Sequence, residues 1–362
     1  MSSTSRIAAT THPTASLSDG TDGWVVATSF GDPGREASAC RTSIAVADVS
    51  HWGTFRVSGA NAVKFLQGLV TNDIAALASG EGCYAAFLNV HGRIEADVHV
   101  FRFDSGLVLH TPPGAAEWVE KNLGRFRMAG GFDLERLDPT HAMISVIGPQ
   151  ARQCLADLLG TAVPGHLQCV ESTTDDVTLS MLGVRRAASD SVDVLGTPGE
   201  IAELWRSLVA AGAIPVGSEA LEIVRLEAGI ALFGKDFDSD VVLQEVDSPE
   251  IVSFQKGCYL GQEIVARLHF QGQPSKLLRR LEVANGTLPE PGDDVVSTDD
   301  PAKSAGRVTS VSGATVDAPT VFALIKRRFY EPGTSVRIRH GESLIDAVVA
   351  LRRPTVPTEE SQ

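Results

Sequence analysis

The 362-residue chain has no CxxC pair, and its five cysteines, Cys40, Cys83, Cys154, Cys169 and Cys258, are scattered and odd in number. A disulfide framework or a structural zinc site is therefore not expected, and most of these thiols read as small buried hydrophobes. His51, His91, His99 and His269 form no metal-ligand spacing with them, so no metal centre is expected. No apolar run approaches the roughly 18 residues needed to span a bilayer, and the first residues lack the apolar segment of a secretory signal. Positive charge is in deficit: 31 Lys and Arg stand against 45 Asp and Glu, a formal net charge of −14. Such a chain has no general attraction to nucleic acid or anionic lipid. Phosphate-binding glycine loops, dinucleotide fingerprints and Ser-His-Asp hydrolase patterns are missing as well. The default is a cytoplasmic protein with no membrane partner and no direct nucleic-acid contact.

What is present is an ordinary globular balance, 43% hydrophobic and 21% charged, over a length that suits two or three domains. Residues 1–23 are rich in Ser, Thr and Asp and read as a disordered leader, with order beginning near Trp24. Gly53 to Val57 alternates as a strand, and Val63, Leu66 and Val70 recur at helical spacing. Cys83 to Val90 and Ile94 to Phe103 read as two strands joined by a turn at His91-Gly92-Arg93. Helices are expected over Pro149 to Leu159, Glu200 to Ala211 and Ser218 to Ala228, the last ended by Gly229. Strands mixed with helices make residues 24–272 an α+β region of two lobes. From Lys276 to residue 353, short strands separated by Gly, Pro and Asp predict a small β-barrel or sandwich. Residues 354–362 read as a disordered tail.

The densest segment runs from Val252 to Arg267. Gly257 allows a tight turn, and Cys258 then falls at or just before a helix start, because Ile264, Val265 and Leu268 carry helical periodicity. The positive end of the helix dipole and the neighbouring Lys256 would both favour a reactive thiolate.

The run Lys256-Gly257-Cys258-Tyr259-Leu260-Gly261-Gln262-Glu263 resembles the K-G-C-Y-x-G-Q-E signature of the YgfZ family, relatives of the glycine-cleavage aminomethyltransferase. Arg225-Leu226-Glu227-Ala228-Gly229-Ile230 is similar to the R-x-E-A-G-I segment shared with the aminomethyltransferases. Leu243 departs from the family's usual proline. The resemblance implies a three-lobed aminomethyltransferase-like folate-binding fold with a C-terminal β-barrel. It implies tetrahydrofolate as cofactor and a role with iron–sulfur proteins or their assembly machinery, in the assembly or repair of iron–sulfur enzymes that include tRNA-modifying ones. Carried over residue by residue, Glu227 matches the acid that grips the pterin, a job that suits a carboxylate facing paired N–H donors. Asn89, Gly92 and Asp97 match the strand–turn–strand that lines the folate pocket. Cys258, Lys256 and Asp97 are the candidates for chemistry; Arg267 and Lys256 could hold an anionic group, and Tyr259 could stack on a pterin. The alternative is a folate-dependent aminomethyltransferase or demethylase-type one-carbon transferase. It needs the pocket acid and turns on whether the catalytic position aligns with Ala96 or Asp97. A non-catalytic scaffold without folate affinity is the third reading.

Overall fold

The computed structural model describes residues 3–4, 15–20, 23–174, 177–283, 287–313 and 319–353. Three sheets carry the architecture. The first has five antiparallel strands in the spatial order Gly82–Leu88, Ile94–Phe103, Gly106–Thr111, Gly53–Ser58 and Asp133–Arg136. Its leading hairpin turns at the expected place, with Cys83 opposite Val100 and Ala86 opposite Asp97. The period of two puts Ala96, Val98 and Val100 on one face, where they join a buried apolar cluster with Leu66 and Val119 of the helices Ala62–Gln67 and Ala116–Gly124. Asp97, His99 and Phe101 take the other face. The first of these helices stops at Gln67, and Val70 instead bridges to Phe87.

The second sheet orders its six strands as Cys169–Thr174, Val177–Leu182, Ser191–Gly196, Ala142–Ile147, Ala45–Asp48 and Ile214–Pro215. The helices Ala151–Leu159 and Pro198–Ala210 cover one face, burying Leu155, Trp205 and Leu208 against Ile144 and Val194. The latter helix starts sharply because Thr197 and Glu200 form a reciprocal capping box with a proline at the first turn.

The third sheet closes into a six-stranded barrel made of Lys276–Val283, Thr320–Lys326, Ser304–Val311, Asp294–Ser297, Ser335–His340 and Ser343–Ala350 in order around the ring. Closure leaves no unpaired strand edge. Buried arginines bind the barrel to the rest of the chain. Arg225 donates to Ser310 Oγ at 3.0 Å, and Arg352 donates to Ser248 Oγ at 2.6 Å and Asp247 O at 2.8 Å. Among the described residues no helix is long and apolar enough to cross a membrane.

Two readings need correction. Ser16–Asp19 is a strand paired antiparallel to Trp24–Ser29, with Ser3–Thr4 parallel on the other side. The leader is therefore not disordered at these residues: a reversal closed by Gly20 N–H donating to Trp24 O at 2.6 Å lets the polar segment borrow a ladder from its neighbour. The remainder of that leader and the tail 354–362 lie outside the described residues. The helix Pro33–Thr42, capped by Asp32, was not read from the sequence at all; its apolar positions are mostly alanine and cysteine, which give a faint periodic signal.

Candidate functional site

A cavity of about 490 Å³ opens where the first two sheets meet the helix Ser218–Glu227. Val26, Leu221, Phe233 and the indole of Trp52 form its apolar wall, and His51, Arg186 and Arg225 bring polar groups to it. The helix contributes by spacing: Leu221, Glu222 and Arg225 lie three and four positions apart and share the cavity face. Arg225 is held there by Glu222 and by Asp236 at 2.7 Å, so its guanidinium is fixed before anything binds.

Behind Trp52 lies a buried polar network. Arg186 grips Asp193 with two hydrogen bonds, at 2.8 and 2.5 Å, and its guanidinium sits 4.0 Å over the Trp52 ring. His110 stacks on Trp52 at 5.2 Å and lies 3.3 Å from Thr54 Oγ1 and 3.3 Å from Asp193 Oδ2. Burial opposes the charged form of Asp193, but Arg186 and the contact to His110 outweigh it and hold the carboxyl below the usual carboxylate range. Burial also pushes His51 down to about 4, so this cavity imidazole is neutral at physiological pH.

Asp97 is buried and does not line the cavity. Tyr84 donates its phenolic O–H to Asp97 Oδ2 at 2.6 Å, while Oδ1 has no partner. Burial raises its pKa to about 6 against the opposing Tyr84 hydrogen bond. His99, stacked on Tyr84 at 4.7 Å, is pulled down to about 3 by burial, and its Nδ1 is likewise unpartnered. Tyr84 and the cavity residue Phe233 pack against one apolar cluster. An orphaned carboxylate oxygen in the interior of a sheet is a place where a ligand donor gains a full hydrogen bond.

None of the eight residues nominated from the sequence lines the cavity. Glu227 has both oxygens engaged by Arg41, at 2.9 and 2.7 Å, on the helix Pro33–Thr42. The reason is angular: two positions past Arg225, it points about 200° away from the cavity face. The motif residues that reach the cavity are Arg225 and Ile230. Asn89 and Gly92 shape the hairpin instead. Asn89 Oδ1 accepts from the backbone N–H groups of His91 and Arg93, and Gly92 has φ +72 with a Cβ position 2.9 Å from Ile264.

The Cys258 loop also differs from expectation. The helix begins only at Gln262, with Gly261 as its N-cap, so Cys258 lies outside the first turn where the dipole acts. Lys256 turns inward, donating to the carbonyls of Gln67, Val70 and Asn72 at 2.7, 2.7 and 2.8 Å. Burial lowers it to about 8, with the nearby Asp73 acting in the opposite sense. It therefore does not flank the thiol or offer a site for an anion. Tyr259 is buried under this lysine, 5.2 Å from Nζ, with no open face for a pterin. Arg267 is exposed on the helix Gln262–Gln271. Among the five cysteines, Cys258 is the exposed one. The site residues missed from the sequence, Trp52, Arg186 and Asp193, are single residues on separate elements with no local motif; only the Arg185-Arg186 doublet before a strand gave a signal.

Two sheet lobes with a cavity where they meet, followed by a closed barrel, form the architecture. The glycine cleavage system aminomethyltransferase T of Bartonella henselae superposes with a TM-score of 0.85 over 93% of each chain at 22% identity, which shows a shared fold. An aminomethyltransferase of Chlorobium phaeovibrioides is 27% identical over 89% of this chain and 90% of its own length. One from Rubrobacter xylanophilus is 30% identical over 71% and 69%, and a putative chloroplastic transferase of Arabidopsis thaliana is 27% identical over 80% and 66%. Residues 11–256 match the family model described as the GCVT N-terminal domain, and the chain belongs to this aminomethyltransferase-like family.

Proposed function

We propose that this chain is a cytoplasmic, tetrahydrofolate-binding member of the family that serves the assembly or repair of iron–sulfur enzymes, tRNA-modifying ones included, through Cys258. What carries this reading is the loop itself. Lys256, Tyr259 and Gly261 are each consumed in holding it: a caged ammonium, a buried ring and a left-handed glycine whose Cβ position is 2.6 Å from Asn89 O. Cys258 is left to solvent, together with Gly257 and Leu260, and is the exposed thiol among the five cysteines. A chain segment so heavily anchored to present one thiol supports a role for the thiol in meeting a partner. Clusters usually take four thiolates, so Cys258 would supply one ligand and the iron–sulfur partner the others.

The cavity suits a reduced pterin. Trp52 and Phe233 offer flat apolar contact, and Arg185 at the lining, beside a Lys235 held by Glu222 at 2.9 Å, suits a carboxylate tail. Tetrahydrofolate supplies a ring nitrogen that accepts a one-carbon unit; the chain's own part is to hold it, exclude water and place the Asp97 carboxyl. Calorimetric titration of tetrahydrofolate into wild type and Leu221→Trp tests the pocket. Saturable binding weakened about tenfold or more, about 1.4 kcal/mol, is expected from the bulk added to the cavity wall. Absence of binding to wild type would sink the reading and leave a scaffold. For the thiol, a visible absorption band from a reconstituted complex with an iron–sulfur assembly protein should vanish in Cys258→Ala.

One observation favours a second reading, a one-carbon transferase. Asp97 rather than Ala96 faces Tyr84, its hydrogen-bond partner, and its pKa of about 6 suits proton transfer near neutrality. Formation of methylene-tetrahydrofolate from an aminomethyl donor, abolished in Asp97→Asn and retained in Cys258→Ser, would establish it over the first.

A further inference from the structure

Beside the Cys258 loop lies a second depression, about 710 Å³, between the barrel and the helix Gln262–Gln271. Its charge runs against that of the chain. Arg93, Lys276 and the run Lys326-Arg327-Arg328 line it, opposed by Asp240 and Glu245 alone, within a protein whose formal net charge is −14. Asp240 takes Arg93 at 2.7 Å and Glu245 lies 3.8 Å from Lys276. Lys326, Arg327 and Arg328 are exposed, and none has a carboxylate partner among the described residues. Three consecutive uncompensated cations at the end of a barrel strand repel one another, and an anion from outside relieves that repulsion.

The same helix carries an exposed apolar surface. Phe270 is 71% exposed and packs against Phe254 and His269, which stack on each other at 3.8 Å. Leu260, in the Cys258 loop, is exposed, and so is Val90 at the tip of the 89–93 hairpin. That hairpin is clamped to the loop by the contact between Gly92 and Ile264 and by that between Gly261 and Asn89. Arg93 and Cys258 are thus fixed to one unit, Cys258 being three residues, roughly 10 Å of chain at most, from the clamp at Gly261.

We propose that this face, basic cleft plus apolar rim, is the docking site for an acidic, apolar segment of a partner protein, which brings the partner's reacting group to Cys258. The proposal rests on reading Cys258 as the group presented to a partner and adds the chemistry that recognises it. Charge complementarity selects the occupant. Spaced carboxylates pair with Lys326, Arg327 and Arg328, while apolar side chains between them cover Leu260, Phe254 and Phe270. A nucleic-acid strand, with a charge at every phosphate, carries more negative charge than Lys326, Arg327 and Arg328 can offset.

Fluorescence anisotropy with the full chain tests this. The probes are a labelled peptide of Glu, Asp, Leu and Ile, the same peptide with Gln and Asn in place of the acids, and an oligouridylate of equal length. Wild type is expected to bind the acidic peptide about tenfold or more tightly than the amide peptide, with affinity falling as salt rises. Arg327→Glu/Arg328→Glu should reduce binding about tenfold, and Phe270→Ser several-fold, while tetrahydrofolate titration of both variants matches wild type and shows that the fold is intact. Equal binding of the two peptides, indifference to the charge reversal, or preference for the oligouridylate would each overturn the proposal. Peptide binding without tetrahydrofolate binding would sustain the docking face and sink the folate reading instead.

Discussion

At Arg186 and at Lys256 the chain buries a cation, and the two burials are satisfied differently. Arg186 is matched by a charge, the carboxylate of Asp193, with Trp52 and His110 packed against the pair. Lys256 is matched by three neutral carbonyls that follow the helix Ala62–Gln67, where carbonyls have no helical partner. The first arrangement makes the cavity wall an electrostatic device whose parts depend on one another. The second makes the Cys258 loop a mechanical one, in which charge is spent on fixing the backbone.

The sharpest way to separate them is to delete each cation. Arg186→Leu leaves Asp193 buried with only the His110 contact in place of its guanidinium partner, and should destabilise by about 4 kcal/mol. The double variant Arg186→Leu/Asp193→Leu should recover most of that loss, because no charge is stranded. Lys256→Met strands only neutral carbonyls and removes a buried ammonium at the same time. A smaller loss of about 2 kcal/mol is expected. Urea unfolding of the three variants measures both values, and equal losses for the two single variants would break the contrast.

Acid should strike the wall before the loop. His51 and His99 are depressed from 6.5 to about 4 and about 3, so the unfolded chain binds protons that the fold does not. Stability present above pH 6.5 is then lost as pH falls toward 4, by up to about 1.4 kcal/mol per pH unit for each proton. Asp97, raised to about 6, acts in the opposite sense between 6 and its unfolded value of 3.8. Burial lowers His110 and His166 as well, so four histidines against one carboxyl leave a net loss. Chemical denaturation at pH 7.5, 6 and 5 should show it, and a flat profile would mean that these imidazoles are hydrated.

These contrasts also explain what could be read from the sequence. Elements with a clean period were legible: Ile94–Phe103 fell where the pattern put it, and the barrel followed from regular turns. Motifs were legible as motifs but not as directions. In R-x-E-A-G-I the eye falls on Glu227, yet the helix turns Arg225 to the cavity and Glu227 to Arg41. In the Lys256–Glu263 run the charged neighbour of the thiol proved to be its anchor. Trp52, Arg186, Asp193 and His110 come from four separate strands and loops, and only the folded sheet order brings them together.

Cys258→Ser should produce the smallest change in stability and the clearest change in function. The side chain is exposed and the loop is held by Lys256, Tyr259 and Gly261, none of which depends on the thiol. Replacement of one surface sulfur by oxygen should shift stability by less than about 0.5 kcal/mol, with tetrahydrofolate affinity unchanged. Alkylation with iodoacetamide should meanwhile drop from one rapid equivalent to the slow background of Cys40, Cys83 and Cys169, which are buried, and of half-buried Cys154. If the variant instead unfolds more readily by 2 kcal/mol or more, about the loss expected of a core substitution, then Cys258 is a packing residue. The distinction between a wall tuned by charge and a loop built to expose a thiol would then fail at its second half.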